Sequence, residues 1–228
     1  MRRPASAEEL AAERTGMVER QLRRRGIRDE RVLEAMEAVP REHFVPDSQK
    51  RRAYSDSALA IGYGQTISQP WIVAAICEGL ELEGSELVLE IGTGSGYSAA
   101  VLALLARRVI TIERVSELAA AAREILAALG VANVEVLVGD GSAGLPERGP
   151  FEAIAVHATA PAPPPTLIDQ LAIGGRLVVP IASRTADMLT VIRRAGEDVD
   201  PTTGKGLESS VIGPCRFVPL IGSEGFPE

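Results

Sequence analysis

The sequence predicts an α/β protein built on a mostly parallel, doubly wound sheet with an N-terminal helical cap. Residues 87–91 form an apolar run of strand length that leads directly into a glycine-rich turn and then a helix-forming stretch. Further strand-like runs alternate with helical segments, a pattern that favours parallel strands joined by right-handed crossovers. Two helical segments precede the first of these strands, so they cannot be crossovers of the sheet and are predicted to form the cap.

The predicted cap occupies residues 1–55 and contains two helices. Ser6 and Glu9 have the spacing of a capping box, and the helix that follows should stop at Gly26. Asp29 is the predicted N-cap of the second helix, which ends at Pro40. We expect residues 56–228 to form the core and a C-terminal substrate-side tail, and the whole chain to be one structural unit. The extension of residues 1–16 has no predicted task beyond lengthening the first helix.

Residues 56–70 contain two glycines, few charges and no clear period, which predicts an ordered loop rather than a linker. Ordered loops often carry function. Pro70 can occupy the first turn of the next helix, which should run to about Leu82.

The remaining elements follow from local periodicity and turn residues. The predicted strands are residues 87–91, 109–113, 133–138, 151–156, 176–181 and 189–193, with a last strand or extended tail at 210–221. The predicted helices are residues 98–106, 118–129 with Ser116 as the cap, and 166–171. Gly174 and Gly175 should form a turn, and residues 196–206 a flexible loop. The carboxyl ends of parallel strands place the loops at 92–97, 113–115, 139–142 and 157–163 on one edge, where ligands bind.

The turn after the first core strand carries glycine at alternate positions 92, 94 and 96. Such glycines allow positive φ angles and a close approach of the backbone to a ligand at a helix N-terminus. The third glycine comes one residue too early for the dinucleotide fingerprint, and Tyr97 stands in its place, which disfavours NAD. Glu113 ends the second core strand and could accept both hydroxyls of a ribose. The pattern therefore favours an adenosine-bearing ligand, with a plain strand-to-helix turn as the alternative interpretation.

Together, the alternating glycines and the distal acid resemble motif I and its partner in Rossmann-like methyltransferases that use S-adenosylmethionine. More specifically, residues 17–221 resemble the protein-L-isoaspartate O-methyltransferase family. The segments that carry this resemblance are GIRDERVLEAMEAVPREHFVP, AYSDSALAIGYGQTISQP, VLEIGTGSGYSAAVLA, GDG, PFEAIAV, LIDQLAIGGRLVVPI and CRFVPLIG. The combination of IGYGQTISQP with LEIGTGSGY is the most specific part, because most other methyltransferases lack the first segment.

The resemblance implies an enzyme that methylates the free α-carboxylate of L-isoaspartyl residues in damaged proteins and peptides, which begins repair through a succinimide. The implied cofactor is S-adenosylmethionine, with S-adenosylhomocysteine as the product. Ser68 matches the family's active-site serine, and Gln65, Thr66 and His157 lie on the implied substrate side. The implied cofactor-binding residues are Ile61, Gly62, Tyr63, Gly64, Glu90, Gly92, Thr93, Gly94, Gly96, Glu113, Asp140 and Gly141.

The implied chemistry needs few catalytic groups. A carboxylate with a pKa of about 4 is already ionised at neutral pH, so it needs no general base. Ser68 would donate a hydrogen bond that orients this carboxylate. Alternatively, its hydroxyl only forms hydrogen bonds with backbone groups of its own loop. Glu90 could instead cap nearby N–H groups, and Asp140 could be a turn residue between glycines.

The loop after the fourth core strand departs from the family pattern. The family usually has a small, alanine-rich stretch there, whereas this chain has His157 and Thr159. His157 could contact substrate and change its charge between pH 5 and 8. The alternative, which we favour, is that His157 has its hydrogen bonds satisfied within the protein and is not essential for activity.

Composition narrows the class of protein further. The net charge of −7 argues against nucleic acid as a partner, and the charged share of 24% with a hydrophobic share of 46% is ordinary for a soluble domain. The two cysteines lack the sequence spacing of metal ligands and of a disulfide framework, so we expect neither a metal site nor a disulfide. No apolar run is long enough for a membrane span, and the N-terminus lacks an apolar signal region. We expect a cytoplasmic monomer.

Three other functions stay open on sequence alone. The altered loop at residues 157–163 is compatible with a methyltransferase of this fold that acts on another carboxylate or on a small molecule. A noncatalytic module that binds S-adenosylmethionine or peptide is a second alternative, and the presence of Ser68 together with an acid at position 113 argues against it. A dehydrogenase is the third, and Tyr97 disfavours it.

Overall fold

The structure is a computed structural model and describes residues 6–227. Residues 1–5, which include the start of the predicted cap and extension, lie outside the described residues, as does residue 228. The described helices are α1 (Ala7–Met17), α2 (Glu30–Ala38), α3 (Pro70–Leu80), α4 (Tyr97–Leu105), α5 (Ser116–Ala128) and α6 (Pro165–Asp169). The strands are β1 (Leu59–Gly62), β2 (Gln65–Ile67), β3 (Leu87–Ile91), β4 (Arg108–Glu113), β5 (Val134–Val138), β6 (Phe151–Val156), β7 (Leu171–Ile181), β8 (Asp187–Arg194) and β9 (Leu207–Cys215).

Seven strands form the central sheet in the order β5-β4-β3-β6-β7-β8-β9. The strands from β5 to β7 pair in parallel, whereas β8 runs antiparallel to both of its neighbours. The prediction of a mostly parallel, Rossmann-like α/β sheet is therefore confirmed. The chain leaves β3 towards β5 on one side and later returns to β6 on the other. The carboxyl ends of β3 and β6 thus mark the topological switch point, where open α/β sheets bind ligands.

Apolar side chains cover both faces of this sheet. Val88 and Ala153 belong to the core beneath the N-terminal helices, whereas the adjacent Leu89 and Ile154 belong to the core on the opposite face. Successive strand residues point to opposite faces, so a continuous apolar run such as β3 is typical of a sheet buried on both sides. Within residues 6–227, no helix has the length and apolar character that crossing a membrane would require.

The N-terminal helices begin where the sequence predicts. Ser6 accepts a hydrogen bond from the backbone N–H of Glu9, and the Glu9 carboxylate accepts one from the Ser6 N–H, which completes the predicted capping box. The helical path continues beyond α1 to Gly26, whose φ of 100° ends it. Asp29 caps α2 as predicted, and α2 packs on α3 and α4. The cap therefore rests on the two helices that flank the switch point.

The prediction of a loop at residues 56–70 is wrong. Strands β1 and β2 pair there as an antiparallel hairpin, with Leu59 opposite Ile67. Gly62, Tyr63 and Gly64 all have positive φ and reverse the chain at its tip. Strands of four and three residues are too short to show a period in the sequence.

Two smaller predictions are also wrong. Gly174 and Gly175 lie inside β7 rather than in a turn, beside a register shift against β6. A Cβ at Gly175 would lie 3.0 Å from the Glu152 carbonyl oxygen, so this glycine permits a close approach between strands. Ser116 is the first residue of α5 rather than its cap; its hydroxyl donates to Glu117, and Val115 occupies the cap position without a side-chain bond.

Candidate active site

A cleft with a volume of about 240 Å³ opens at the carboxyl ends of β3, β4 and β6. It brings together many of the residues singled out by sequence, namely Gly64, Gln65, Thr66, Ser68, Gly92, Thr93, Gly94, Glu113, Gly141 and His157. Other predicted residues lie outside its lining, namely Ile61, Gly62, Tyr63, Glu90, Gly96 and Asp140. The predicted set therefore divides into residues that line the cleft and residues that lie outside its lining.

The glycine-rich turn forms the floor of the cleft. Gly92, Gly94 and Gly96 have φ angles of 93°, 54° and 88°, a region that side-chain-bearing residues rarely adopt. A Cβ at Gly96 would lie 3.2 Å from the Cβ of Ala122, so this glycine also lets α4 approach α5 closely. Helix α4 then begins with its N-terminus at the cleft, where backbone N–H groups favour a polar or anionic ligand group.

Glu113 holds this turn in place at the end of β4. One carboxylate oxygen accepts the backbone N–H of Gly94 at 2.8 Å, and the other accepts that of Val115 at 3.0 Å. The side chain lines the cleft although the residue is only 5% exposed. Each carboxylate oxygen retains a second lone pair, so Glu113 can also accept hydroxyl groups from a ligand.

Glu90 lies beneath the turn and is fully buried. The Thr111 hydroxyl donates to Glu90 Oε2 at 2.6 Å and is itself 2.6 Å from the hydroxyl of Thr93. Because Thr111 uses its hydrogen on Glu90, Thr93 must donate to Thr111. These contacts anchor the first residues of the turn to β4. The alternative that Glu90 caps nearby N–H groups finds no support among the described contacts.

His157 completes this buried network from the end of β6. Its Nε2 lies 2.9 Å from the Ser98 hydroxyl and 3.2 Å from Glu90 Oε1. Glu90 Oε1 meets no hydrogen-bond geometry with any group of the described residues. The Ser98 hydroxyl is the nearer of the two groups to Nε2. The ring is packed near Phe217, with 6.4 Å between ring centroids. His157 therefore ties β6 to α4 as well as lining the cleft.

The β1–β2 hairpin forms the opposite wall and leads into Ser68. At its tip Tyr63 is 60% exposed and has a φ of 52°. Behind the tip, the side chain of Ile61 approaches the turn, since its Cδ1 would lie 3.5 Å from a Cβ at Gly94. The Ser68 carbonyl accepts a hydrogen bond, whereas its hydroxyl has no bonding partner among residues 6–227. That hydroxyl is free to donate to a ligand in the cleft.

A buried arginine that sequence analysis missed connects the cap to this wall. Arg41 is fully buried, and its guanidinium donates to the carbonyls of Ala53 at 2.8 Å and Ser68 at 2.7 Å. The guanidinium also lies over the Tyr97 ring, 4.7 Å from its centroid. Burial lowers the pKa of Arg41 to about 10, so it remains charged at neutral pH. Arg41 thus fixes the position of Ser68 relative to the first residue of α4.

The C-terminal segment closes the third side of the cleft with residues 217–221. Asp140 fastens the segment beyond it: its carboxylate accepts the N–H groups of Ser142 and Ser223, both at 2.8 Å. Burial alone would raise the pKa of Asp140, but these two N–H groups hold it below its usual value. The implied role of Asp140 in cofactor binding stays a prediction, because this side chain bonds to the tail while Gly139 and Gly141 line the cleft.

The two cysteines are free and lie apart from this chemistry. Cys77 is buried in α3, and burial raises the pKa of its thiol. Burial also raises the pKa of the half-buried Cys215 to about 11. Within residues 6–227, no group of three or more His, Cys, Asp or Glu residues is arranged to hold a metal ion.

Comparisons with known proteins agree with this geometry. A family model described as protein-L-isoaspartate(D-aspartate) O-methyltransferase matches residues 13–225. The protein-L-isoaspartate O-methyltransferase of a Synechococcus species is 56% identical over 225 residues, which cover 96% of this chain and 89% of the relative. The protein-L-isoaspartate O-methyltransferase 1 of Rhodopseudomonas palustris is 51% identical over 221 residues, with coverage of 96% and 87%.

Solved structures show the same likeness in three dimensions. A Plasmodium falciparum protein described as a putative protein-L-isoaspartate O-methyltransferase, in complex with S-adenosyl-L-homocysteine, aligns with a TM-score of 0.76 and 26% identity. The alignment covers 91% of this chain and 98% of the other. A second structure, described as protein-L-isoaspartate O-methyltransferase, aligns with a TM-score of 0.78 and 28% identity, covering 94% of this chain and 67% of the other.

Proposed function

Because the chain belongs to the protein-L-isoaspartate(D-aspartate) O-methyltransferase family, we propose that it methylates isoaspartyl residues in damaged proteins and peptides. The methyl group comes from S-adenosylmethionine and is transferred to the free α-carboxylate, which leaves S-adenosylhomocysteine. The resulting ester is set up for closure to a succinimide, the first step of repair.

The shape of the cleft suits the cofactor. Gly92 and Gly94 line it without side chains, and their positive φ angles would strain any other residue, so the floor forms a cradle that a Cβ would disturb. We propose that Glu113 accepts the ribose hydroxyls with its remaining lone pairs while it holds Gly94. Gly141 would lie beside the base; a Cβ there would come within 2.8 Å of Ile91 Cγ2. When bound, S-adenosylmethionine supplies an electrophilic methyl group on a sulfonium.

Ser68 is the proposed catalytic residue on the substrate side. Its hydroxyl has no hydrogen-bond partner among the described residues and lies in the same cleft as Glu113, which is the observation that best supports this function. A donor placed there would orient the substrate carboxylate, which is already an anion at neutral pH. Orientation and removal of water supply the rate enhancement in such a reaction, so no general base is required. Gln65, Thr66 and His157 would form the rest of the substrate wall.

The two regions of the chain would have different roles in this function. We propose that residues 1–55 act as a cap that positions Ser68 through Arg41, while residues 56–228 hold both ligands. We also propose a cytoplasmic monomer that does not bind nucleic acid, since the net charge of −7 opposes attraction to phosphates.

A paired-peptide assay tests this function. Purified protein is incubated with methyl-labelled S-adenosylmethionine and either an isoaspartyl peptide or its normal aspartyl twin. We expect labelled, base-labile ester on the isoaspartyl peptide alone. Equal labelling of the two peptides would indicate a methyltransferase with a different acceptor. Cofactor binding without labelling of either peptide would favour a noncatalytic module.

A further inference from the structure

A second groove adjoins the active site and shares three of its residues. This groove, which we term the flank groove, has a volume of about 210 Å³. Thr66, Ser68 and Phe217 line both the flank groove and the main cleft, so the two meet at the proposed catalytic serine. A peptide whose reacting residue lies at Ser68 would therefore continue into the flank groove.

One wall of the flank groove is a fixed pair of side chains. The guanidinium of Arg25 lies 4.6 Å from the ring centroid of Trp71, and the Trp71 indole N–H points to the Arg25 carbonyl at 3.4 Å. Arg25 also donates to both carboxylate oxygens of Asp56 at 3.1 Å, and Gln69 donates to the same carboxylate. Asp56 thus balances the charge of Arg25. The pair of Arg25 and Trp71 therefore gives the groove a fixed shape and an aromatic surface rather than a free charge.

The lining of the flank groove also includes an unbalanced positive charge. Arg216 is exposed, lines the flank groove, and has no hydrogen bond or ion pair with any other residue among 6–227. No carboxylate is among the residues that line this groove. The groove is therefore locally positive, although the chain as a whole carries a net charge of −7.

We infer that the flank groove binds the peptide segment next to the isoaspartyl residue and that Arg216 favours an acidic side chain in that segment. This inference rests on the proposed function, because it assumes that the isoaspartyl carboxylate lies at Ser68. Trp71 and Phe217 provide apolar contact for the segment, while Arg216 supplies the selective charge. Arg216 is a specificity-determining residue and takes no part in methyl transfer.

Peptides that differ at one flanking position test the inference. A series of isoaspartyl peptides carries Glu, Gln or Lys at each of the three positions on either side of the isoaspartate. We expect kcat/KM to favour Glu over Lys at one or more positions by about two- to fivefold, the range of a solvent-accessible ion pair. In Arg216→Ala this ratio should fall to about one, and in Arg216→Glu it should invert.

The ratio is taken within each variant, so a general loss of activity cancels. Arg193→Ala is the control, because Arg193 lies in β8 opposite Arg176, pairs with Glu208, and lines neither the cleft nor the flank groove. It should keep the wild-type ratio, and circular dichroism verifies the fold of each variant. A wild-type enzyme without charge preference, or an unchanged ratio in Arg216→Ala, would overturn the inference. Absence of methylation on every isoaspartyl peptide would instead reject the proposed function.

Discussion

The two walls of the active-site cleft are held in place in different ways. On the side proposed to bind the cofactor, the glycine-rich turn and Glu113 follow adjacent strands of one β-α-β unit, and the bond from Gly94 spans 19 residues. On the side proposed to bind the substrate, Ser68 belongs to a segment that leads out of a short hairpin and is fixed by Arg41, a buried charge from the N-terminal cap. The proposed cofactor wall is thus held within one β-α-β unit, whereas the proposed substrate wall depends on a contact from outside the sheet. Substitutions should be able to separate the two functions.

The largest expected effect is loss of cofactor binding in Glu113→Ala. The substitution removes two bonds from backbone N–H groups and the proposed ribose acceptor, and each hydrogen bond to a charged group contributes roughly 1.5–3 kcal/mol. We expect the Kd for S-adenosylhomocysteine, measured by calorimetry, to rise by about 100-fold or more. Glu117→Ala, on the exposed face of α5, is the control and should bind normally. Binding within about threefold of wild type would show that Glu113 does not hold the cofactor.

Arg41→Lys should impair the substrate wall and leave the cofactor wall intact. Lysine keeps the charge but cannot reach both carbonyls with the planar geometry of a guanidinium. We expect turnover of an isoaspartyl peptide to fall by roughly 30-fold and the free energy of unfolding to fall by about 2 kcal/mol. Affinity for S-adenosylhomocysteine should change by less than about threefold. An equal loss of affinity and turnover would mean that Arg41 supports the whole fold rather than Ser68.

Ser68→Ala should reduce turnover with little effect on stability. The serine hydroxyl has no protein partner among residues 6–227, so its removal leaves no protein group unpaired. Loss of one hydrogen bond to a charged substrate group predicts a fall in kcat/KM of about 10- to 100-fold. Ser183→Ala provides a comparison at an exposed serine that bonds only within its own loop. Near-full turnover in Ser68→Ala would reject the catalytic role of this serine.

The smallest expected effect concerns the tail that Asp140 fastens. Hydrogen bonds from the N–H groups of Ser142 and Ser223 lower the pKa of Asp140 in the folded state, so its ionised form stabilises the docked tail. This contribution is fully present above the ordinary pKa of 3.8 and is lost as the pH falls below it. We expect the Ser223 amide resonance to shift towards that of a free tail as the pH is lowered through this region. In Asp140→Asn the corresponding shift should be absent.

Several features of the fold could be predicted because they depend on neighbouring residues. The capping box of Ser6, the glycine that ends the first helical segment and the strand leading into Gly92 each have a local pattern. The hairpin formed by β1 and β2 was missed because its strands are too short for alternation to appear. Gly175 was interpreted as a turn residue because sequence does not reveal the strand that approaches it.

The candidate active site, like the fold, could be predicted only where neighbouring elements of the sequence determine it. Glu113 and the glycines lie together because the order of a β-α-β unit brings them together. Arg41 was missed since arginine is almost never fully buried without partners, and its partners are backbone carbonyls, which leave no sequence signal. The HFVP segment that follows it, including the buried Phe44 packed on Tyr97, was the available hint. The contact between Asp140 and Ser223 spans 83 residues and has no local pattern either.

A crystal structure of the protein with S-adenosylhomocysteine and an isoaspartyl peptide would show what occupies each wall of the cleft. We expect ribose hydroxyls within hydrogen-bond distance of Glu113, the sulfur above the turn from Gly92 to Gly96, and the peptide carboxylate bonded to the Ser68 hydroxyl. A nucleoside that binds away from this turn, or a carboxylate held without Ser68, would contradict the proposed site.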